Sequence, residues 1–270
     1  MLQPDALRGV HMADGAPIPH TSAGPETITP FSDCHDTNRM PQPLKVNGLI
    51  MPPDFPTTLF EHVYSRARLR STSHVSAYEH FNAAWNAISF RYLALCDDGD
   101  AFTASVSAPD GGASLEERYQ QERHLFGFFS NGFSAFESFF YGMFAIGALL
   151  HPVDFPLATP KEQQAVSPAS TDRAYARAFV GDPILATFAA VFTDAAYREW
   201  KEVRNILTHR TAPGRTIFVS VESDEDLLAR WKINDIPLGR ETTSVRRGHA
   251  ARMLSALLNA AAVFTESRIT

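Results

Sequence analysis

What the chain lacks narrows it first. Only Cys34 and Cys96 among its 270 residues are cysteines, too few to staple a scaffold of this size, and no paired Cys/His spacing marks a zinc site. Free thiols in a reducing compartment are the expectation. The opening MLQPDALRGVHMADGAP has neither a basic start nor an apolar run before a cleavage site, which argues against a secretory signal and for the cytoplasm. Motifs of the common nucleotide-binding and hydrolytic enzymes are missing: no GxxxxGK, no GxGxxG after a strand, no GxSxG and no HExxH. No histidine has Glu three positions before it, so the paired Glu-x-x-His ligands of a di-iron bundle are missing too. No cofactor and no metal are expected. A basic excess is lacking as well: 24 Lys+Arg stand against 30 Asp+Glu, a net charge of −6. That excludes coating nucleic acid through the overall field and leaves room for a local basic groove.

Proline and hydrophobic patterning divide the chain unevenly. Ten of the 18 prolines fall within the first 56 residues, among Gly, Ser, Thr and Asp, so 1–53 reads as a Pro-rich, partly ordered N-terminal arm and 54–270 as the folded domain. From Pro56 the pattern is helical, with a break expected near Ser71 to Ser73. Tyr78, Phe81, Trp85, Ile88 and Tyr92 recur at three- and four-residue steps, the mark of one buried helix face. After the turn at 110–112, Ser114 with Glu117 three residues later is a capping box opening a long helix to about His151. Glu137 is the only formal charge between Phe126 and Leu150, which raises a membrane span. Ser130, Asn131, Ser134, Ser138 and the stretch's glycines argue instead for a helix buried in a bundle. No membrane is expected. A helix capped by Asp182 with Pro183 at its first position follows, and Thr193 and Asp194 mark a new start or a kink before AAYREWKEVRNILTHR. Beyond Pro213 and Gly214 the β-branched RTIFVSV, then ARWKIND and IPLGR, predict a small β insertion at about 215–240 before a final helix from Thr242 or Thr243. The expected fold class is mainly α, a helical bundle with a small hairpin or sheet before its last helix.

Chemistry concentrates in EWKEVRNILTHR. On a helical wheel Ala196, Trp200, Val203 and Leu207 cluster in one sector, the expected core face, while Arg198, Lys201, Asn205 and His209 fall opposite, with Arg204 and Thr208 on a flank. Asn205 and His209 stack one turn apart, and Arg204 is long enough to reach the same place. A histidine can move a proton near neutral pH, and an arginine presents a fixed, permanently charged fork to a phosphate. The set therefore suits phosphodiester cleavage without a metal, with Asn205 and Thr208 orienting the ring or the phosphate and Lys201 and Arg198 adding phosphate contacts. Arg198, Lys201, Arg204, Arg210 and Arg215 oppose only Glu199 and Glu202 within 198–215, a basic patch in an acidic chain. Spacing alone is weak: Arg68/His74 and Arg118/His124 match it too, and only Arg204 has Asn directly after it. Glu137 joins the site as an auxiliary carboxylate expected to be largely buried and partnered by Arg204 or His209, because an unpaired charge in an apolar helix is costly.

The segment RNILTHR, on a helix following the aromatic FSAFESFFYGMFAIGALL, resembles the signature of the HEPN superfamily (higher eukaryotes and prokaryotes nucleotide-binding domain), covering about 115–270. The resemblance implies a bundle of four or five helices and a homodimer that brings two motifs to one cleft. In active members it implies metal-independent RNA cleavage through attack of the 2′-hydroxyl. Arg204 and His209 take the signature positions, with Asn205 as the polar residue beside the arginine. Thr208 holds no signature position. The Pro-rich arm and the β insertion depart from a minimal domain of this kind. Two functions follow: an endoribonuclease of a defence or toxin system, with an antitoxin or nucleotidyltransferase partner, or a non-catalytic helical dimer binding a nucleotide, RNA or a protein.

Overall fold

The first described element lies inside the stretch expected to be arm. The computed structural model describes residues 44–106, 114–209, 215–217, 229–233 and 236–270. By its contacts the chain divides into units 1–41 and 42–270, and every described element belongs to the second. Strands β1 (Lys45–Val46) and β2 (Leu49–Ile50) pair antiparallel with Val46 opposite Leu49. The turn between them is Asn47-Gly48, with φ of 51° and 82°. Two central residues at positive φ make a turn whose twist matches that of the strands, which is why Asn-Gly is favoured there. Val46 is fully buried and Met51 nearly so. The Asn-Gly pair between apolar residues is the local sequence mark of this hairpin, which helical periodicity does not register.

Helices α1 (Thr57–Arg68) and α2 (Val75–Val106) come next, separated at 69–74, where the break was expected. The run of buried residues in α2 continues past Cys96 through Gly99 and Phe102, so this helix outruns the apolar stripe read from sequence. Helix α3 (Leu115–Leu150) opens on Ser114, whose hydroxyl accepts from the Glu117 N–H at 3.2 Å while the Glu117 carboxylate accepts from the Ser114 N–H at 2.7 Å. Both halves of the capping box are made.

By length and composition α3 is apolar enough to cross a bilayer, yet 78% of its apolar window is buried within the fold. It packs against α2 on one side and, on others, against α5 (Pro168–Ala178), α7 (Ala195–His209) and α8 (Glu241–Arg268). A helix packed by other helices on several sides is apolar round most of its circumference, and a narrow stripe through Phe126, Ser134 and Glu137 keeps contact with water. Its glycines are sites of close approach: a Cβ on Gly132 would lie 2.0 Å from the Trp200 ring.

The short α4 (Pro160–Gln164) precedes α5, and α6 (Ile184–Thr193) precedes α7. Asp182 caps α6 by accepting from the Ile184 N–H at 3.0 Å, and Asp194 caps α7 by accepting from the Ala196 N–H at 2.7 Å. Each aspartate thus starts the helix its position predicted. Strands β3 (Arg215–Ile217), β4 (Ala229–Ile233) and β5 (Ile236–Pro237) form an antiparallel sheet in the order β3-β4-β5, just before α8. The fold is mainly α with a small antiparallel sheet ahead of the last helix.

Candidate functional site

Helix α7 positions the site because one of its faces is pinned. Its buried residues are Tyr197, Trp200, Val203 and Ile206, and Trp200 packs against both Phe128 and Phe129 of α3 with ring centroids 5.0 and 5.1 Å away. The core stripe is therefore rotated from the one expected: Tyr197 and Ile206 are buried, whereas Ala196 and Leu207 only pack at its edge. A large aromatic at position 197 reaches α3 where alanine at 196 cannot. An ion pair from Glu199 to Arg246 at 2.6 Å ties the same helix to α8.

With that face inward, Arg198, Lys201 and His209 are exposed and Asn205 is half-buried on the opposite face. Arg198, Lys201, Glu202 and Asn205 line a shallow cavity of about 220 Å³. Arg198 is held in place by donating to the Thr193 carbonyl at 2.7 Å. His209 is the last residue of the helix.

Arg204 faces another way. Its Nη2 donates to Oε1 of Glu137 at 2.7 Å, and its guanidinium carbon lies 4.9 Å from the centre of the Phe133 ring, a cation–π arrangement. Nη1 donates to Oδ1 of Asn205 at 3.1 Å. The Thr208 hydroxyl donates to the Arg204 carbonyl at 2.8 Å, so it is spent on its own helix and not aimed at the ring or at a phosphate as expected. Five residues of helix place Arg204 and His209 about 140° apart around the axis. Within one chain the structure brings together Arg204, Asn205 and Glu137; it leaves His209 on the outward face with Lys201 and Arg198.

Glu137 meets Arg204, one of its two expected partners, but it is not largely buried: its side chain keeps 36% of its accessible surface and that of Arg204 keeps 21%. The reason is its place on the rim of α3, where it also faces Ser134, whose hydroxyl donates to its Oε2 at 3.5 Å. Its charge is felt by neighbours. Burial raises the Tyr197 phenol well above its usual range, Glu137 adds to the rise and Arg204 opposes it. Sequence reasoning missed Phe133, the platform under Arg204; standing four residues before Glu137 on the same helix, it was within reach of the i,i+4 rule. It also missed Arg91, whose guanidinium burial pushes down in pKa and the Glu137 charge supports; nothing in sequence linked α2 to that carboxylate.

Among the described residues no group of three or more His, Cys, Asp or Glu side chains is placed to hold a metal ion. No family model, curated protein or solved structure matches the chain.

Proposed function

We propose that the chain is a metal-independent endoribonuclease of the HEPN type, acting as a homodimer on RNA across the outward face of α7. The observation that supports this reading most is the contrast along one helix. Arg204 is immobilised by a carboxylate and an aromatic ring, while His209 stands exposed at the helix end with Lys201 and Arg198 behind it. A held guanidinium suits charge building on a phosphate, and an exposed imidazole suits proton transfer to a polymer that arrives from solvent.

In the proposed reaction the ribose 2′-hydroxyl attacks the adjacent phosphorus, one histidine takes the hydroxyl proton, and the 5′-oxygen leaves with a proton from a second acid. The products are a 2′,3′-cyclic phosphate and a free 5′-hydroxyl. A single histidine cannot begin as both base and acid. A dimer supplies two copies of His209, and it also bridges the angular gap between one chain's Arg204 and its own His209. The setting proposed is a defence or toxin system, with an antitoxin or nucleotidyltransferase as partner.

A second reading, a non-catalytic helical dimer that binds RNA, a nucleotide or a protein through this face, is favoured by the Arg204 charge being already engaged by Glu137. RNA incubated with the protein in excess EDTA separates the two. Cleavage to cyclic-phosphate ends, lost in His209→Ala, is the expected result; intact RNA, equal cleavage of DNA, or full activity in His209→Ala leaves the binding module.

A further inference from the structure

A second cavity, of about 490 Å³, opens where α2, α3 and the start of α5 meet, with Glu137, the partner of Arg204, in its wall. Its size falls in the range of small-molecule sites. Ala83, Ala84 and Ala87 give one wall methyl groups only, and Val166 and Pro168 add apolar surface from the α5 side. Three polar features converge on this apolar body. Arg91 lines the cavity and uses Nη1 to donate to the Ser134 carbonyl at 2.8 Å and to the Ser138 hydroxyl. Among the described residues its Nε and Nη2 make no hydrogen bond, and neither is sealed from solvent. The Tyr141 hydroxyl lies 3.1 Å from Nδ1 of His80, whose other nitrogen meets the Gln163 amide at 3.3 Å, so both rings are fixed at the cavity wall. Ser167, the N-cap of α5, brings the positive end of that helix to the rim.

Charge selects the ligand. Arg91 is the fixed cation of the cavity and α5 adds a partial positive charge, while the one carboxylate in the wall, Glu137, is paired with Arg204. The guanidinium edge carrying Nε and Nη2 matches a carboxylate with two parallel hydrogen bonds. A dianion would meet only one full cation with Glu137 close by, so a monoanion fits better. We propose that this cavity is a binding site for a small monocarboxylate with a flat apolar body, its carboxylate on Arg91 and its body against the alanine wall of α2.

Benzoate is the probe, measured by isothermal titration calorimetry with the full chain. Benzoate should bind at one site per chain, with affinity at least tenfold above that for benzamide, which has the same body without charge, and above that for phenyl phosphate, a dianion. Arg91→Lys keeps the charge and loses the planar fork, and should weaken benzoate at least tenfold. Ala83→Trp sits at an exposed position of α2, where a bulky side chain fills the cavity without disturbing the core, and should abolish binding. His209→Ala should bind benzoate as the unmodified chain does, which keeps this test independent of the ribonuclease reading. No heat with benzoate, equal affinity for benzamide, tighter phenyl phosphate, or unchanged affinity in Ala83→Trp would each overturn the proposal.

Discussion

At the scale of single residues, the pair Arg204–Glu137 shows how a costly charge is accommodated. Glu137 interrupts an apolar stretch, but it does so at the rim of α3, and its partner arrives from α7 with an aromatic ring beneath it. Because both side chains retain water contact, the pair's worth to stability is small, about 1 kcal/mol or less. Glu137→Gln should therefore shift the denaturant midpoint only slightly. On the proposed function the same change removes the anion paired with Arg204, so retention of RNA should strengthen and its salt dependence steepen; a large loss of stability with unchanged RNA retention would make Glu137 a purely structural residue. His209 presents the opposite case. It is exposed at a helix end, so His209→Ala should leave stability within about 0.5 kcal/mol while turnover disappears, as thermal melting and RNA cleavage assayed on one preparation would show.

At the scale of elements, α3 is the axis on which the others are set, and its small residues decide how near they come. Trp200 of α7 lies against Gly132, where a Cβ would fall 2.0 Å from the ring. Gly132→Ala gains about 1 kcal/mol of helix propensity, but the clash must push Trp200 and with it the whole of α7. Overpacking of this kind costs about 1–3 kcal/mol, and here the obstacle is a rigid, fully buried indole packed against two phenylalanines. The expected outcome is a lower melting temperature together with weakened RNA binding, since the Arg204 and His209 faces move with the helix. An unchanged melting temperature would mean that α7 is free to shift, contrary to its packing.

At the scale of the whole described fold, the segment after the first hairpin is fastened to the last helix through Asp54 and Arg247, whose Nε donates to the carboxylate at 2.8 Å. Burial acts to raise the Asp54 pKa, but the hydrogen bond and charge of Arg247, helped by Tyr92, outweigh it and hold the carboxyl below its usual value. Folding thus favours the ionised form. The stabilisation is fully present above the pKa of an unfolded aspartate and is lost as the pH falls through the lower, folded value. Asp54→Asn should lower stability at neutral pH and flatten the acid limb of the stability profile, a change read from denaturant midpoints taken between neutral and strongly acid pH. Assembly belongs to this scale as well. One chain separates Arg204 from His209 around the axis of α7, so the proposed ribonuclease requires a dimer; light scattering at micromolar concentration should report twice the 29.8 kDa of the chain. A monomer that nevertheless cleaves RNA would refute the shared site.

Local rules made much of this protein legible. Ser114, Asp182 and Asp194 start helices because a side-chain oxygen and a free N–H a few residues on are all that a cap needs. The apolar steps from Tyr78 to Tyr92 and the outward set Arg198, Lys201 and His209 came from helical geometry alone. The Asn47-Gly48 hairpin is equally local, but its two-residue strands are too short to carry a hydrophobic period, so its one sequence mark is the Asn-Gly pair. What neighbouring residues could not specify was the rotation of α7: whether Tyr197 or Ala196 faced inward depended on the aromatic surface that α3 offered. That rotation sent Arg204 toward Glu137 and Phe133; its angular separation from His209 was already set by their spacing on one helix. The meeting of Arg91 with Ser134 and Ser138, and the cavity beside them, belonged likewise to tertiary structure, because those groups come from α2 and α3 and only the packing of one helix on the other puts them within hydrogen-bond reach.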